Sequence, residues 1–149
     1  MNDREIRVRE VSESDYISIY ELNKNNLGYD YDVEKTARQL EYILRKPGDK
    51  LLAAVIEGEV AGYIHASAYD CTYSDPFINI LALVVDSGRR GLGVGRGLLT
   101  AIEEWAGENG CAGIRLTSGY NRTGAHKFYE ACGYVNRKDQ KNFVKVLEA

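Results

Sequence analysis

The stretch that decides the fold of this chain is LVVDSGRRGLGVGRG, residues 83–97. It begins at the end of an apolar run, and every second residue from Gly91 to Gly97 is a glycine. The apolar run, residues 77–85, predicts a central, fully buried strand, and the residues from Leu98 onward predict a helix. The first turn of a helix has unpaired backbone N–H groups and partial positive charge, and glycines let an anion approach them. Three arginines add positive charge beside the glycines: Arg89, Arg90 and Arg96. The stretch therefore predicts a phosphate-binding turn, with a tight connection that binds nothing as the alternative.

Two common nucleotide-binding motifs do not fit this turn. A Walker loop ends in Gly-Lys-Ser/Thr, whereas the chain reads Gly95-Arg96-Gly97. A dinucleotide fingerprint, Gly-x-Gly-x-x-Gly, requires a third glycine where Arg96 or Leu98 stands. The turn is therefore predicted to bind a phosphate group through neither of these two motifs.

Apolar periodicity and turn residues on either side of the turn predict about seven strands and about four helices. The predicted strands cover residues 6–11, 51–56, 60–68, 77–85, 114–118, 134–135 and 142–147. The predicted helices start after Ser12 or Ser14, at Asp32, after Gly97 and at Thr123, and residues 23–31 are expected to form a loop. The order β-α-α-β-β-β-α-β-α-β-β predicts an α/β fold with a mixed sheet, and the absence of repeats or linkers predicts a single domain, residues 1–149.

Composition limits the classes of function. The net charge is −3 and the pI is near 5.5, so no nucleic-acid partner is expected. No stretch approaches the roughly 20 apolar residues of a membrane span, and the polar residues 1–5 do not resemble a signal peptide, so no membrane partner is expected. The chain has three cysteines without Cys-x-x-Cys spacing and two histidines, which predicts no metal site and a cytoplasmic location.

Two blocks of sequence point to one family. The turn contains Arg90-x-x-Gly93-x-Gly95, and a second block reads AHKFYEACGY, residues 125–134. Together they resemble the GNAT family, the GCN5-related N-acetyltransferases, whose acyl-CoA loop reads Gln/Arg-x-x-Gly-x-Gly/Ala and whose second block reads Ala-x-x-Phe/Leu-Tyr-Glu-x-x-Gly-Phe/Tyr. The resemblance covers nearly the whole chain. It implies a mostly antiparallel central sheet of about seven strands flanked by about four helices.

The resemblance also implies an activity, namely acetyl transfer from acetyl-CoA to a primary amine by direct attack in a ternary complex. The end of the strand would hold the pantetheine arm and the thioester carbonyl through its backbone, and the turn would hold the pyrophosphate. Arg122 departs from the family pattern because an Asn often stands at that position, although Asn121 is adjacent. The expected cofactor-binding residues are Leu83, Val84, Val85, Arg90, Gly91, Leu92, Gly93, Val94, Gly95, Arg96, Asn121 and Arg122.

The expected catalytic residues are Tyr129 and Asn79. Tyr129 matches the family tyrosine that protonates the departing CoA thiolate, and the alternative is a core aromatic beside Phe128. Many relatives place a general-base Glu on the central strand, where this chain has Asn79 and Leu81. Proton removal would then use a water held by Asn79 or a backbone carbonyl, while His65 is either a further participant or a structural histidine.

The acceptor site is expected in two loops, residues 25–32 and 69–75, which are rich in Tyr and Asp. Aromatic faces and carboxylates suit a cationic amine, such as a small molecule or a peptide amine, and solvated loops are the alternative. The expected substrate-binding residues are Tyr29, Tyr31, Tyr69 and Asp70. A homodimer is expected from the family, and a non-catalytic acyl-CoA-binding sensor is the alternative function because the strand lacks a carboxylate.

Overall fold

The computed structural model describes residues 5–148, which fall into two compact units that divide after Leu116. The first unit contains β1 (Arg7–Glu10), α1 (Tyr16–Leu22), α2 (Val33–Leu44), β2 (Asp49–Ile56), β3 (Glu59–Tyr69), β4 (Phe77–Val85), α3 (Val94–Glu108) and β5 (Gly113–Leu116). The second unit contains α4 (Thr123–Ala131). No helix within residues 5–148 has the length and apolar character needed to cross a bilayer.

The strands form one mixed sheet in the order β1-β2-β3-β4-β5. Neighbouring strands from β1 to β4 are antiparallel, and β5 pairs with β4 in parallel. The predicted fold class, an α/β fold with a mixed, mostly antiparallel sheet and helices packed on it, is confirmed.

The closing strands predicted at residues 134–135 and 142–147 do not form in the described part of the chain, where the sheet has five strands. Alternating apolar residues become a strand only when another strand supplies hydrogen-bonding partners, and residues 135–148 have no ladder partner in the sheet. Their apolar side chains lie in solvent, and Phe143 is 86% exposed. The prediction of about seven strands therefore exceeded the observed number because pairing is non-local.

The two faces of the sheet are covered by different helices. On one face, Leu51, Ala53 and Tyr63 pack with apolar residues of α1 and α2. On the other face, α3 packs on the middle strands and buries Leu98 and Ile102 completely. Because strand side chains alternate between faces, the residues of β2 from Asp49 to Ala54 can be assigned to one helix layer or the other, up to the register shift before Val55.

A bulge divides β4 into two halves. His65 of β3 lies opposite Ala82, and the next residue of β3, Ala66, lies opposite Ile80, so Leu81 is the extra residue. Leu81 is 55% exposed, which corrects the expectation of a fully buried strand. Parallel pairing with β5 also ends at Ile80, and from there β4 continues to Val85 without a strand on that side among the described residues.

The connection between α1 and α2 is more ordered than predicted. Residues Asn23–Leu27 continue α1 as a π-helical turn, and Asp32 caps α2 by accepting a hydrogen bond from the backbone of Lys35 at 2.9 Å. Two asparagines of the π-helical turn join it to β3 and to the segment that follows β4. Asn23 Oδ1 accepts from the Tyr63 hydroxyl at 2.5 Å, and Asn26 Oδ1 accepts from the backbone of Ser87 at 3.0 Å. The segment after them is therefore held beside the end of β4.

Candidate active site

The glycine-rich turn joins β4 to α3 as the sequence predicted, but the helix begins earlier. α3 starts at Val94, so Gly95 and Gly97 lie in its first turn rather than before it. The first helical hydrogen bond runs from Gly97 N to Gly93 O at 3.0 Å. The backbone N–H groups of Val94 and Gly95 therefore have no acceptor within the helix, which leaves them for an anion.

The backbone of this turn also keeps space open over those N–H groups. Gly91 and Gly93 have φ angles of 81° and 90°, a region that disfavours residues with a side chain. A Cβ at Gly91 would meet nothing within 4 Å, and one at Gly93 only Ile6 at 3.9 Å. Arg90 is exposed beside the turn, while the Arg89 guanidinium lies 3.4 Å from Glu59. The donors, the free space and the positive charge fit a pyrophosphate.

The unpaired half of β4 lies next to this turn. Val84 is buried at 2% exposure in the core, and its neighbours Leu83 and Val85 are half-buried. No described strand pairs with this side of β4 beyond Ile80, so the backbone groups that point to that side have no ladder partner. A backbone role for residues 83–85 is compatible with this geometry.

The second unit holds two further expected cofactor-binding residues, Asn121 and Arg122, and the expected catalytic residue Tyr129. Asn121 and Arg122 are exposed just before α4, and Arg122 is the residue from which the helix starts. The Tyr129 ring packs edge-on against Phe128, with centroids 5.5 Å apart. Burial raises the pKa of the Tyr129 hydroxyl above its ordinary value of 10.0, which the positive charge of Arg122 partly offsets. The same unit contains a buried hydroxyl, Ser118 Oγ, without a hydrogen-bond partner in the structure.

A row of polar side chains crosses the sheet on the face that α1 and α2 cover. His65 and Ser67 share the face of Tyr63, and both contact Asp49 of β2: His65 Nε2 lies 2.8 Å from Asp49 Oδ2, and Ser67 Oγ donates to Asp49 Oδ1 at 3.0 Å. The Asp49 and His65 side chains are only 5% and 13% exposed. Asn79, opposite Ser67, continues the row on β4.

Arg115 of β5 completes this row. It is the register partner of Asn79, and its Nη1 donates to Asn79 Oδ1 at 2.6 Å. Its guanidinium carbon lies 4.4 Å from the centroid of the Tyr69 ring, in a cation–π contact. Asp49 and Arg115 were not among the predicted site residues. Alternation along a strand predicts which positions face the core. A charged residue at such a position is the signal that would have found Asp49 and Arg115.

The two predicted acceptor loops differ in their structure. Tyr29 and Tyr31 are 66% and 48% exposed, whereas Tyr69 lies under Arg115. Two carboxylates of the first loop have other roles, because Asp30 accepts from the Tyr20 hydroxyl at 2.8 Å and Asp32 caps α2. Asp70 of the second loop is exposed. The first loop therefore offers a cationic acceptor less negative charge than the sequence suggested.

Comparison with known proteins gives the family. The profile of the Acetyltransferase (GNAT) family matches residues 16–134. This chain belongs to the GNAT family. The resemblance carried by the turn and the second block is thereby confirmed, and the match extends across both compact units.

Relatives of this chain are named for different acetylated molecules. Human N-acetylaspartate synthetase is 30% identical over 104 residues, which are 70% of this chain but 33% of that protein. Aminoglycoside N(6')-acetyltransferase type 1 of Stenotrophomonas maltophilia is 30% identical over 105 residues, 68% of this chain and 69% of the relative. The chain thus spans about a third of the length of the human relative.

A solved structure of the aminoglycoside N-acetyltransferase AAC(6')-Iy in complex with CoA has the same GNAT fold. Its TM-score is 0.85 at 19% sequence identity, with 95% of each chain covered. At this identity the likeness shows the fold alone.

Proposed function

We propose that this protein is an N-acetyltransferase that moves an acetyl group from acetyl-CoA to a primary amine of a small molecule or a peptide. The observation that carries the proposal is the open first turn of α3, where the N–H groups of Val94 and Gly95 lie free of helical acceptors below glycines that leave space for a pyrophosphate. Membership of the GNAT family supports the same ligand.

The chain binds acetyl-CoA mainly through backbone groups. The open edge at Leu83, Val84 and Val85 holds the pantetheine arm and the thioester carbonyl, and the turn from Gly91 to Arg96 holds the pyrophosphate. Arg90 adds charge from the turn, and Asn121 and Arg122 add contacts from the start of α4. Residues 1–149 act as one domain, which is supported by a family match that crosses the boundary between the two units.

Acetyl-CoA supplies the acetyl group as a thioester, and the chain supplies two proton transfers. Tyr129 donates a proton to the thiolate sulfur as the carbon–sulfur bond breaks. A phenol of ordinary pKa carries its proton at neutral pH, and burial, which raises the pKa of Tyr129 above 10.0, leaves it protonated and available to the thiolate. The three cysteines are free and half-buried, and none belongs to the matched catalytic positions, so transfer is direct rather than through a cysteine thioester.

The attacking amine must first lose a proton, because an ordinary amine is protonated at neutral pH. His65 accepts this proton through a water that the Asn79 side-chain amide orients. The contact of 2.8 Å between Asp49 Oδ2 and His65 Nε2 supports this route, because it fixes the orientation of the ring and leaves Nδ1 for the water. Asn79 Oδ1 is already engaged by Arg115, which leaves the Nδ2 hydrogens for the water.

The acceptor lies against Tyr29, Tyr31, Tyr69 and Asp70, whose aromatic faces and carboxylate receive an ammonium group. Small-molecule amines are supported as acceptors because relatives are named for aspartate and for aminoglycosides. The compartment is the cytoplasm, supported by three cysteines that are free in the structure. Two copies associate through residues 142–147, whose apolar side chains are exposed.

The test is release of free CoA from acetyl-CoA by the purified protein with a panel of amines, beside CoA binding measured by calorimetry. We expect CoA binding and thiol release above the hydrolytic background with at least one amine. CoA binding without thiol release for any amine would make the chain an acyl-CoA sensor. Absence of CoA binding would refute the assignment of the turn.

A further inference from the structure

Arg115 carries a positive charge on the face of the sheet that also holds Ser67 and Asn79. No carboxylate within residues 5–148 forms an ion pair with it, although the residue is half-buried. The carboxylate on the same row, Asp49, is engaged by His65 and Ser67, and Lys46 lies 3.8 Å from it. A partly desolvated charge is costly unless something compensates it, so this guanidinium is suited to an anion from outside the chain.

The guanidinium is also held in one place. Asn79 Oδ1 fixes one of its nitrogens at 2.6 Å, and the Tyr69 ring supports its carbon at 4.4 Å. Because a guanidinium has five N–H donors in a rigid fork, the single amide contact leaves an edge that a carboxylate can accept from in bidentate fashion. A side chain anchored on a strand, unlike one on a loop, gives such a contact a defined direction.

The position of Arg115 connects it to the proposed chemistry. Its register pair with Asn79 is followed by the last pair of the parallel ladder, Ile80 with Leu116. Beyond that pair β4 runs through the Leu81 bulge into the open edge proposed to hold the thioester. Tyr69, under the guanidinium, belongs to the acceptor loop. An anion bound at Arg115 would therefore belong to the acceptor rather than to the pyrophosphate, which lies at the start of α3.

We propose that Arg115 binds a carboxylate of the acceptor, and that the acceptor class is small amines that carry a carboxylate, such as free amino acids. This inference rests on the proposed acetyltransferase function and narrows its substrate. The ammonium end of such a molecule faces the tyrosines and Asp70, and the carboxylate end faces the free edge of the Arg115 guanidinium. Polycationic amines without a carboxylate are poor acceptors, because Arg115 repels them and stays unpaired.

The experiment compares matched pairs of acceptors in the thiol-release assay: the common amino acids, each beside its primary carboxamide, with spermidine and kanamycin as polycations. For the best amino acid we expect kcat/KM at least about tenfold above that of its carboxamide. Arg115→Gln lowers kcat/KM for the acid by about 10- to 100-fold, leaves the carboxamide nearly unchanged, and so removes the preference. Arg115→Lys restores part of it, because the charge remains without the bidentate fork.

Two controls separate failure of this inference from failure of the function. Arg38→Gln makes the same change at an exposed arginine of α2 and should retain the preference. CoA affinity and the melting temperature of Arg115→Gln report its folding. Equal turnover of acids and carboxamides, or a preference unchanged in Arg115→Gln, would overturn the carboxylate assignment while leaving the transferase intact.

If no amine is acetylated, the proposed function fails. Binding of amino acids to the protein then tests whether Arg115 holds a carboxylate. Calorimetry with the CoA-loaded protein then measures the affinity for the same amino acids and carboxamides. Tighter binding of acids, lost in Arg115→Gln, supports the carboxylate site. The same affinity for both members of each pair, or no measurable binding of either, rejects it.

Discussion

At the scale of single residues, the backbone angle of Gly93 decides whether the turn can bind a phosphate. Its φ of 90° is strained for any residue with a Cβ, and the residue directly precedes α3. We expect Gly93→Val to abolish CoA binding measured by calorimetry. Gly107→Ala is the matched control, because a Cβ there meets nothing within 4 Å in a regular helix. It should stabilise the protein by about 0.5–1 kcal/mol and leave CoA affinity unchanged. Unaltered CoA affinity in Gly93→Val would contradict the site.

A second prediction concerns the hydroxyl of Tyr129. Tyr129→Phe keeps the ring that packs on Phe128 and removes only the proton donor. We expect kcat to fall about 10²-fold, while the Kd for acetyl-CoA changes less than about twofold. Steady-state kinetics and calorimetry on the same preparation test this. Parallel losses in kcat and in affinity would assign Tyr129 to packing instead of proton transfer.

The sequence located some of these residues and missed others for a physical reason. The glycines, the arginines and Tyr129 lie within contiguous motifs, so local spacing was enough to find them. Asp49 and Arg115 belong to a row that depends on pairing between β2, β3, β4 and β5. Their positions follow from the register of four strands, which short-range patterns do not specify.

At the scale of elements, local signals defined some boundaries accurately and not others. β4 occupies the predicted residues 77–85, because a continuous apolar run ends at a turn, and Asp32 caps α2 as expected. The start of α3 at Val94 was missed because glycine counts as a helix breaker, although a first turn tolerates it when the backbone faces a ligand. The π-helical turn Asn23–Leu27 was predicted as a loop because its polar residues are typical of loops, whereas Asn23 is held by Tyr63 and Asn26 by Leu22 and Ser87.

The corner between β1 and α1 gives a prediction on pH. Hydrogen bonds from Arg9 at 2.8 and 3.0 Å, and from the backbone of Ser12 at 2.9 Å, hold the pKa of Asp15 below its ordinary value of 3.8. A carboxylate with a lowered pKa in the folded state stabilises the fold above its ordinary pKa, and this contribution is lost as the pH falls below it.

We therefore expect Asp15→Asn to lower the free energy of unfolding by about 1–2 kcal/mol at pH 7, with the difference shrinking as the pH falls below about 4. Urea unfolding of both proteins from pH 7 to pH 3 measures it. Glu13→Gln, at a carboxylate that is 60% exposed, should change stability by less than about 0.5 kcal/mol at any pH. If Asp15→Asn lowers the free energy of unfolding by the same amount at every pH, the negative charge of Asp15 is not what stabilises the corner.

At the scale of the whole molecule, the exposed apolar residues 142–147 predict self-association. Val144 and Val146 are 79% and 84% exposed, which is unusual for side chains of this type in an isolated domain. We expect a dimer in sedimentation velocity at micromolar concentration, and a monomer for the double variant Val144→Asp, Val146→Asp. Lys141→Asp, which changes charge without removing apolar surface, should remain a dimer. A monomeric parent protein would reject the proposed association.

The bulge at Leu81 has a consequence for how β4 can change in evolution. Before it, Asn79 shares the α1–α2 face with Ser67; after it, Ala82 and Val84 take that face, so odd and even positions exchange roles at one residue. The side chains of β4 therefore follow one alternation between the faces before Leu81 and the opposite alternation after it. Deletion of Leu81 would join the two halves into one regularly alternating strand, in which Asn79, Ala82 and Val84 still share the α1–α2 face. One residue of length at this point therefore decides whether β4 carries a bulge, and it does not decide which side chains fill the core.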